Sequence, residues 1–528
     1  NRWNLHFMRT SDETRRLFGF AIFTALVTTI PYLIAFARSG EEWVFTGFLF
    51  AVEDGNSYIA KMLSGTHGAW AFRSPYSTTP QTGLLGVYLP YILLGKLAGG
   101  AEVHLQLVVI FHLFRIAAVF LYVYAVYDFM SVFVRDPAGR FLGTALGALG
   151  GGLGWLLVLA GQGSLFGELP LDFYSPEAFG FLALFGLPHL AAGRALTLWG
   201  FATLLAPGGE PGIRRGLRAG LLWLAAGFFN PLSPAIALLV SGLYFIFVLV
   251  RPAGETRTRV IAMFTSAALL PLLMVIYHAA ASQLDPFFRA WSAQNTIHSP
   301  HPLHYLAGYA IYLPWAIKGA RRLLVSGAVR ARLPVIWVLV FPILVYLPVN
   351  LQRRLSEGVF IALLALVVCG FEREPDRARS MRKSVPLIAA AIPTTLLLLA
   401  GAGQVAWYPA EPAFRPSVEA AAVEILAAHA PIDSIVLAPV GTGNALPAFA
   451  PLRVVIGHGP ETIGFDRLRP EVDAFFENRL SNASARALLV EQGVDYIFWQ
   501  EPEQPVYPDL DLQYEGDGFR IYTVPPPP

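Results

Sequence analysis

Val52-Glu53-Asp54-Gly55-Asn56-Ser57-Tyr58-Ile59-Ala60-Lys61-Met62 lies just beyond the first apolar run of the chain, at the start of a polar segment covering 38–90. Two adjacent acids at the edge of a hydrocarbon slab cost free energy unless something neutralises or uses them. The residues that follow, Tyr58, Ala60 and Met62, continue as a helical face. Glu53 and Asp54 are therefore the first candidates for chemistry, and their setting depends on whether the surrounding runs cross a membrane.

Composition says that they do. Of the 528 residues, 55% are hydrophobic and 14% charged, against roughly 25% charged in an ordinary soluble domain, and the mean hydropathy is +0.53. The formal net charge of +2 points to no nucleic-acid partner, and the single cysteine, Cys369, excludes a disulfide within the chain and a cysteine-based metal site. Apolar runs at 17–37, 103–127, 141–161, 179–206, 260–281, 333–350 and 385–405 have the length of a bilayer crossing, and shorter ones lie at 304–317 and 357–371. The tract 218–251 is too long for one straight crossing and is interrupted by Asn230-Pro231-Leu232-Ser233-Pro234, so it reads as two short helices. Arginines and lysines cluster in every second connection: Arg135/Arg140, Arg214/Arg215/Arg218, Arg251/Arg257/Arg259, Lys318 to Arg332, and Arg373 to Lys383. About eleven crossings, with the amino end cytoplasmic and the carboxyl end outside, satisfy the positive-inside rule. The apolar segment 84–98 must then stay on one side, as an interfacial or re-entrant helix. Arg2, Arg9, Arg15 and Arg16 precede the first run, which reads as an anchor in the plasma (inner) membrane of a prokaryotic cell. Gly150-Gly151-Gly152-Leu153-Gly154 is placed inside a membrane helix, where small residues permit close packing.

Beyond residue 405 the composition turns to that of a soluble α/β domain. Buried strands are expected at 434–438, 453–456, 495–499 and 519–524, and helices at 471–479 and 483–492, the second closed by Gly493. The fold class is thus an α-helical polytopic membrane protein. Its expected domains are 1–405, with 38–102 as the first extracytoplasmic loop, and an extracytoplasmic α/β domain at 406–528.

The unusual polar residues fall in the outward connections. Glu53, Asp54, Tyr58 and Lys61 lie in the first, Asp172 in the second with His189 on the helix after it, Gln294 and Asn295 in a third, and Arg353 and Arg354 in a fourth. An acidic centre with arginines at its rim suits a substrate made of a sugar and an anionic phosphate. His298, His301 and His304 are spaced for a metal on a helical face, but Pro300 and Pro302 break any helix there.

The pattern Asp54-x-x-x-Tyr58-x-Ala60, in a long loop after an amino-terminal membrane helix, resembles the GT-C superfamily of polyprenyl-phosphate-dependent glycosyltransferases, which includes protein mannosyltransferases and lipid A aminoarabinose transferases. The family motif has Asp-Glu, then Tyr and a small residue. Asp54 matches the Asp, whereas Gly55 stands where the Glu belongs and Glu53 precedes instead. The resemblance implies a GT-C-like bundle that transfers a sugar from a polyprenyl-(di)phosphate carrier to a glycan, lipid or protein acceptor at the outer face. It implies Asp54 as general base, with Glu53 beside it and Asn56 or Lys61 holding it, because the acceptor must lose a proton. Arg353 and Arg354 would clamp the leaving phosphate, and Tyr58, Lys61, Asp172, His189, Gln294 and Asn295 would line the substrate pocket. A divalent cation, Mg or Mn, is the one cofactor left open, with Asp54 and Asp172 as weak candidate ligands. Alternative readings are a lipid or polysaccharide flippase and a non-catalytic membrane scaffold.

Overall fold

A computed structural model describes residues 9–206, 211–250, 256–371, 377–500, 505, 507, 510–516 and 518–525. Arg2, Arg251, Arg373 and the last three of the four closing prolines lie outside these residues. The chain forms two compact units. The first comprises Asn1–Thr29, Phe114–Ala279 and Thr296–Gly401; the second comprises Ile30–Leu113, Ala280–Asn295 and Ala402–Pro528.

Among the described residues, six helices are long and apolar enough to cross a membrane: Ser11–Arg38, Val103–Phe133, Leu232–Val250, Arg257–Leu284, Arg353–Phe371 and Lys383–Trp407. The protein is a multi-pass membrane protein. Proline sets the breaks. The tract around 230 divides into helices Gly212–Phe229 and Leu232–Val250, with Asn230 extended between them. The run at 179–206 divides at Pro188, whose missing N–H and crowding of Leu187 separate helices Phe181–Gly186 and Pro188–Leu205.

The glycine run corrects its sequence reading. Helix Pro137–Leu149 stops at Gly150, and a new short helix, Gly154–Leu159, begins beyond it. The close approach is real, but it belongs to the extended backbone between the helices. A Cβ at Gly152 would stand 2.6 Å from the Gly308 backbone, and one at Gly151 would stand 2.8 Å from Thr394.

The second unit is built on sheets. Strand β1 (Trp43–Phe45) pairs antiparallel with β2 (Phe414–Pro416), tying the first loop to the segment that follows the last membrane helix. A five-stranded sheet contains β3 (Ile435–Leu437), β4 (Arg453–Val454), β5 (Tyr496–Gln500), β6 (Asp511–Gly516) and β7 (Phe519–Thr523), in the order β4-β3-β5-β7-β6. The pairs β3/β4 and β3/β5 are parallel, and β7 is antiparallel to both its neighbours. Helix Asn482–Gln492 ends at Gly493 in the left-handed region (φ +63°), as the sequence indicates.

Helix Val52–Thr66 packs along helix Val440–Phe449, and its Ala60 lies in the same apolar core as Val436, Leu446 and Phe498. Its other neighbour is helix Leu89–Gly95, the core of the apolar segment 84–98. Seven residues rise only about 10 Å, too little to cross a bilayer. The two helices touch backbone to backbone: a Cβ at Gly65 would meet the Ile92 carbonyl oxygen at 2.0 Å, and one at Gly95 would meet that of Met62 at 1.8 Å.

Candidate active site

Helix Val52–Thr66 starts from Ala51, a non-glycine residue in the left-handed region (φ +48°), a conformation that persists only where the surrounding fold enforces it. Glu53 and Asp54 occupy the first turn, where unpaired N–H groups and the helix dipole favour negative charge. Glu53 is exposed. The Asp54 side chain retains 45% of its exposure, while its Oδ1 lies 3.2 Å from Nε2 of the otherwise buried His458.

His458 opens a buried chain of charges. Its Nδ1 is 3.3 Å from Glu461 Oε1, which accepts a hydrogen bond from Lys61 Nζ at 2.6 Å. Glu461 also accepts from the Ser57 hydroxyl at 2.7 Å and, through Oε2, from the Ser74 hydroxyl at 3.0 Å. Lys61 touches the Ser57 hydroxyl and stands 4.2 Å from the centre of the Tyr88 ring. Both ends of the Lys61–Glu461 pair are out of water, at 1% and 2% exposure, so each charge needs the other.

The titration behaviour follows from this geometry. Burial opposes charging of His458, but the hydrogen bonds and charges of Asp54 and Glu461 outweigh it and raise the imidazole to about 9. Burial pushes the Glu461 carboxyl up, and the charges of Lys61 and His458 overturn that and hold it well below the usual carboxylate range. Burial lowers the Lys61 ammonium, opposed by Glu461 and Asp54. At neutral pH an imidazolium therefore donates to Asp54, fixing one carboxylate oxygen and leaving the half-exposed group able to receive a proton.

Two expected supports of Asp54 work elsewhere. Asn56 donates to Asn444 Oδ1 at 2.8 Å, and Lys61 is committed to Glu461. His458 takes their place, from a position 404 residues further along the chain. Tyr58 is buried and stacks on Tyr91 at 4.7 Å, forming part of the wall beneath the helix. Gln294 braces the loop that carries His458, donating to the Thr462 carbonyl at 2.8 Å and accepting from Gly464 N–H at 3.1 Å. Asn295 ends helix Pro286–Gln294 through its backbone N–H.

In the first unit, Asp172 is buried and accepts from Gly152 N–H (2.9 Å), Gly154 N–H (3.3 Å) and the Thr394 hydroxyl (2.6 Å), which pins the glycine segment. Arg353 and Arg354 share Glu177, with Nε to carboxylate oxygen distances of 4.0 and 3.6 Å. The Arg353 guanidinium also lies 4.8 Å from the Tyr174 ring centre, and its buried Nε lacks a hydrogen-bond acceptor. Glu357 pairs with the buried Arg194, which also donates to the Pro176 carbonyl at 2.6 Å. An apolar groove of about 250 Å³ in this unit is lined by Tyr305, Leu306, Phe341, Val345 and Leu363, among others. His189 stands half-buried in the first turn of helix Pro188–Leu205. His304 bonds the Leu165 carbonyl, and His301 caps helix Pro302–Tyr309.

Among the described residues no three His, Cys, Asp or Glu side chains converge as ligands. The Asp54 oxygen faces an imidazolium, and the Asp172 carboxylate is spent on three donors of the fold.

His458 and Glu461 are absent from the sequence reading, although Gly457-His458-Gly459-Pro460-Glu461 follows the strand expected at 453–456. A polar loop at the carboxyl end of a parallel strand is where open α/β sheets place their functional groups.

No protein-family model and no curated protein matches the chain. Solved structures do. The oligosaccharyltransferase AglB from Archaeoglobus fulgidus, in complex with an inhibitory peptide and a dolichol-phosphate, superimposes with a TM-score of 0.57 at 12% identity, covering 93% of this chain and 70% of that one. The same oligosaccharyltransferase in complex with Zn and sulfate gives a TM-score of 0.54 at 12% identity, covering 91% and 67%. ArnT from Cupriavidus metallidurans bound to undecaprenyl phosphate is a looser likeness, with a TM-score of 0.47 at 15% identity over 96% and 99%. The fold is the membrane GT-C fold that the Asp54 motif resembles.

Proposed function

We propose that this chain is a GT-C glycosyltransferase that moves a sugar from a polyprenyl-(di)phosphate carrier to an acceptor at the extracytoplasmic face of the plasma (inner) membrane. The observation that carries the reading is Asp54, a half-exposed carboxylate locked on one side by a buried imidazolium, on the fold of an oligosaccharyltransferase solved with a dolichol-phosphate. In the second unit, Asp54 takes the proton of the acceptor hydroxyl or amine as that atom bonds to the anomeric carbon and the carbon–oxygen bond to the phosphate breaks. His458 is a positioning residue that fixes the carboxylate. In the first unit, the partly exposed guanidinium groups of Arg353 and Arg354, held beside Glu177, offer donors and charge to a phosphate oxygen. The apolar groove bordered by Tyr305 offers room for hydrocarbon.

The same reading orients the chain. Residues 39–102 and 408–528, which flank the helices Ser11–Arg38, Val103–Phe133 and Lys383–Trp407, fold together, so on this reading both lie on one side of the membrane, with an even number of crossings between them. An odd total, such as the eleven expected, then puts the amino end and residues 406–528 on opposite sides, and the arginine-rich connections are the ground for taking the amino end as cytoplasmic.

The test is transfer from a synthetic polyprenyl-phosphate sugar by the purified full-length chain. Asp54→Asn lowers the rate by about 10²–10⁴-fold in a folded protein, the usual contribution of a general base. A folded Asp54→Asn variant with the wild-type rate overturns the assignment.

A further inference from the structure

The second unit contains a cleft of about 490 Å³ that takes no part in the reaction above. Its walls come from Ser64 and His67 on helix Val52–Thr66, Trp70 and Arg73 after it, and Asp433 and Arg453 from the edge of the sheet. Two guanidinium groups face one carboxylate here. Arg73 is exposed. Arg453 is half-buried and rests on the Ser77 carbonyl oxygen at 2.5 Å. Burial disfavours its charge, Asp433 favours it and Arg73 opposes it, so the two arginines sense each other across the cleft. Trp70 keeps 61% of its surface in water, and the Lys96 ammonium lies 4.2 Å from its ring centre. Surplus positive charge in a concave site attracts and holds anions, and arginine offers phosphate or carboxylate a planar pair of donors.

We propose that this cleft binds a phosphate or carboxylate group of a ligand that lies along helix Val52–Thr66. Ser64 is ten residues past Asp54, about 15 Å along the helix, so the anion is not at the reacting atoms. The cleft holds the charged remainder of an extended acceptor, or an anionic lipid headgroup beside it. Naming the ligand an acceptor rests on the transferase reading; the anion site itself does not.

The test uses the full-length Asp54→Asn chain, which binds without turning over, titrated calorimetrically with glucose 6-phosphate and with glucose. Glucose 6-phosphate binds and glucose does not, and Arg73→Gln, on an exposed side chain, weakens the phosphate ligand at least tenfold. Reconstitution in nanodiscs of phosphatidylcholine, with and without phosphatidylglycerol, separates the sources. Displacement of glucose 6-phosphate by phosphatidylglycerol assigns the site to lipid headgroups, and its persistence assigns the site to a soluble anionic acceptor. Equal binding of glucose and glucose 6-phosphate, an unchanged affinity in Arg73→Gln, or no binding of either phosphate-bearing probe overturns the proposal. A wild-type chain inactive in transfer whose Asp54→Asn form still shows this selectivity leaves the site standing and removes only the transferase reading.

Discussion

A buried lysine is expensive, and Lys61 is tolerated because the Glu461 carboxylate lies against it and the charge of Asp54 adds to the attraction. Asp54 and Lys61 were legible as unusual residues at a membrane edge, but their partners were not. A pairing across 400 positions leaves no periodicity or spacing to read. The network makes stability depend on pH. Because the folded-state value of His458 is raised to about 9 from an ordinary value near 6.5, its contribution is complete below about 6.5 and is lost as the pH rises through 9. The shift amounts to on the order of 3 kcal/mol. Glu461, depressed in the fold, contributes above its ordinary value near 4.5 and loses that contribution in acid. Lys61, lowered by burial, works in the opposite sense at alkaline pH, so the comparison with His458→Gln isolates the imidazole. Thermal unfolding in detergent shows the wild type losing its advantage over His458→Gln between about pH 6.5 and 9; parallel curves at every pH contradict the charge assignment. For Arg353→Gln, the expected result is a donor KM raised about tenfold with kcat retained, as for a group that binds ground state and transition state alike. Loss of kcat alone moves Arg353 into the chemistry.

Elements were the most readable level. Asn230-Pro231 marked the break near 230 and apolar runs marked four of the strands, whereas the break at Pro188 falls inside a run read as one crossing. The glycine run at 150–154 was misread because small residues signal close approach without saying whether the approaching backbone is helical. Gly55 shows the same limit in reverse. It departs from the resembled motif, and the structure supplies the reason: a Cβ at this position would lie 2.2 Å from the Phe48 ring. The helix lies against that ring and leaves no space for the motif's Glu. Gly55→Glu is accordingly expected to destabilise by about 3 kcal/mol or more through overpacking and burial of a carboxylate, seen as loss of monodisperse protein on size exclusion. A folded, active Gly55→Glu chain contradicts this packing.

At the scale of the molecule, the boundary read at residue 405 marks a change of composition, while the compact units follow another division: 402–528 fold with 30–113 and 280–295. Composition reports the solvent a segment faces, and that differs from what it packs against. A chain truncated after residue 405 is expected to lose the β1/β2 pairing, the Lys61–Glu461 pair and the apolar core that Ala60 shares with Val436, Leu446 and Phe498. Its recovery from membranes falls below detection beside the full chain; a stable truncated protein contradicts the shared core. The closure of β1 on β2 also sets a timetable for biogenesis. Nearly all of the polypeptide must leave the ribosome before the first loop meets its counterpart, and at about 5–20 residues per second that interval is about 20–80 s. Throughout it, Lys61 stands at the translocon exit without Glu461, and the helix that carries it is exposed to proteases and to premature association, so yield during expression depends on how fast the last membrane helix is released.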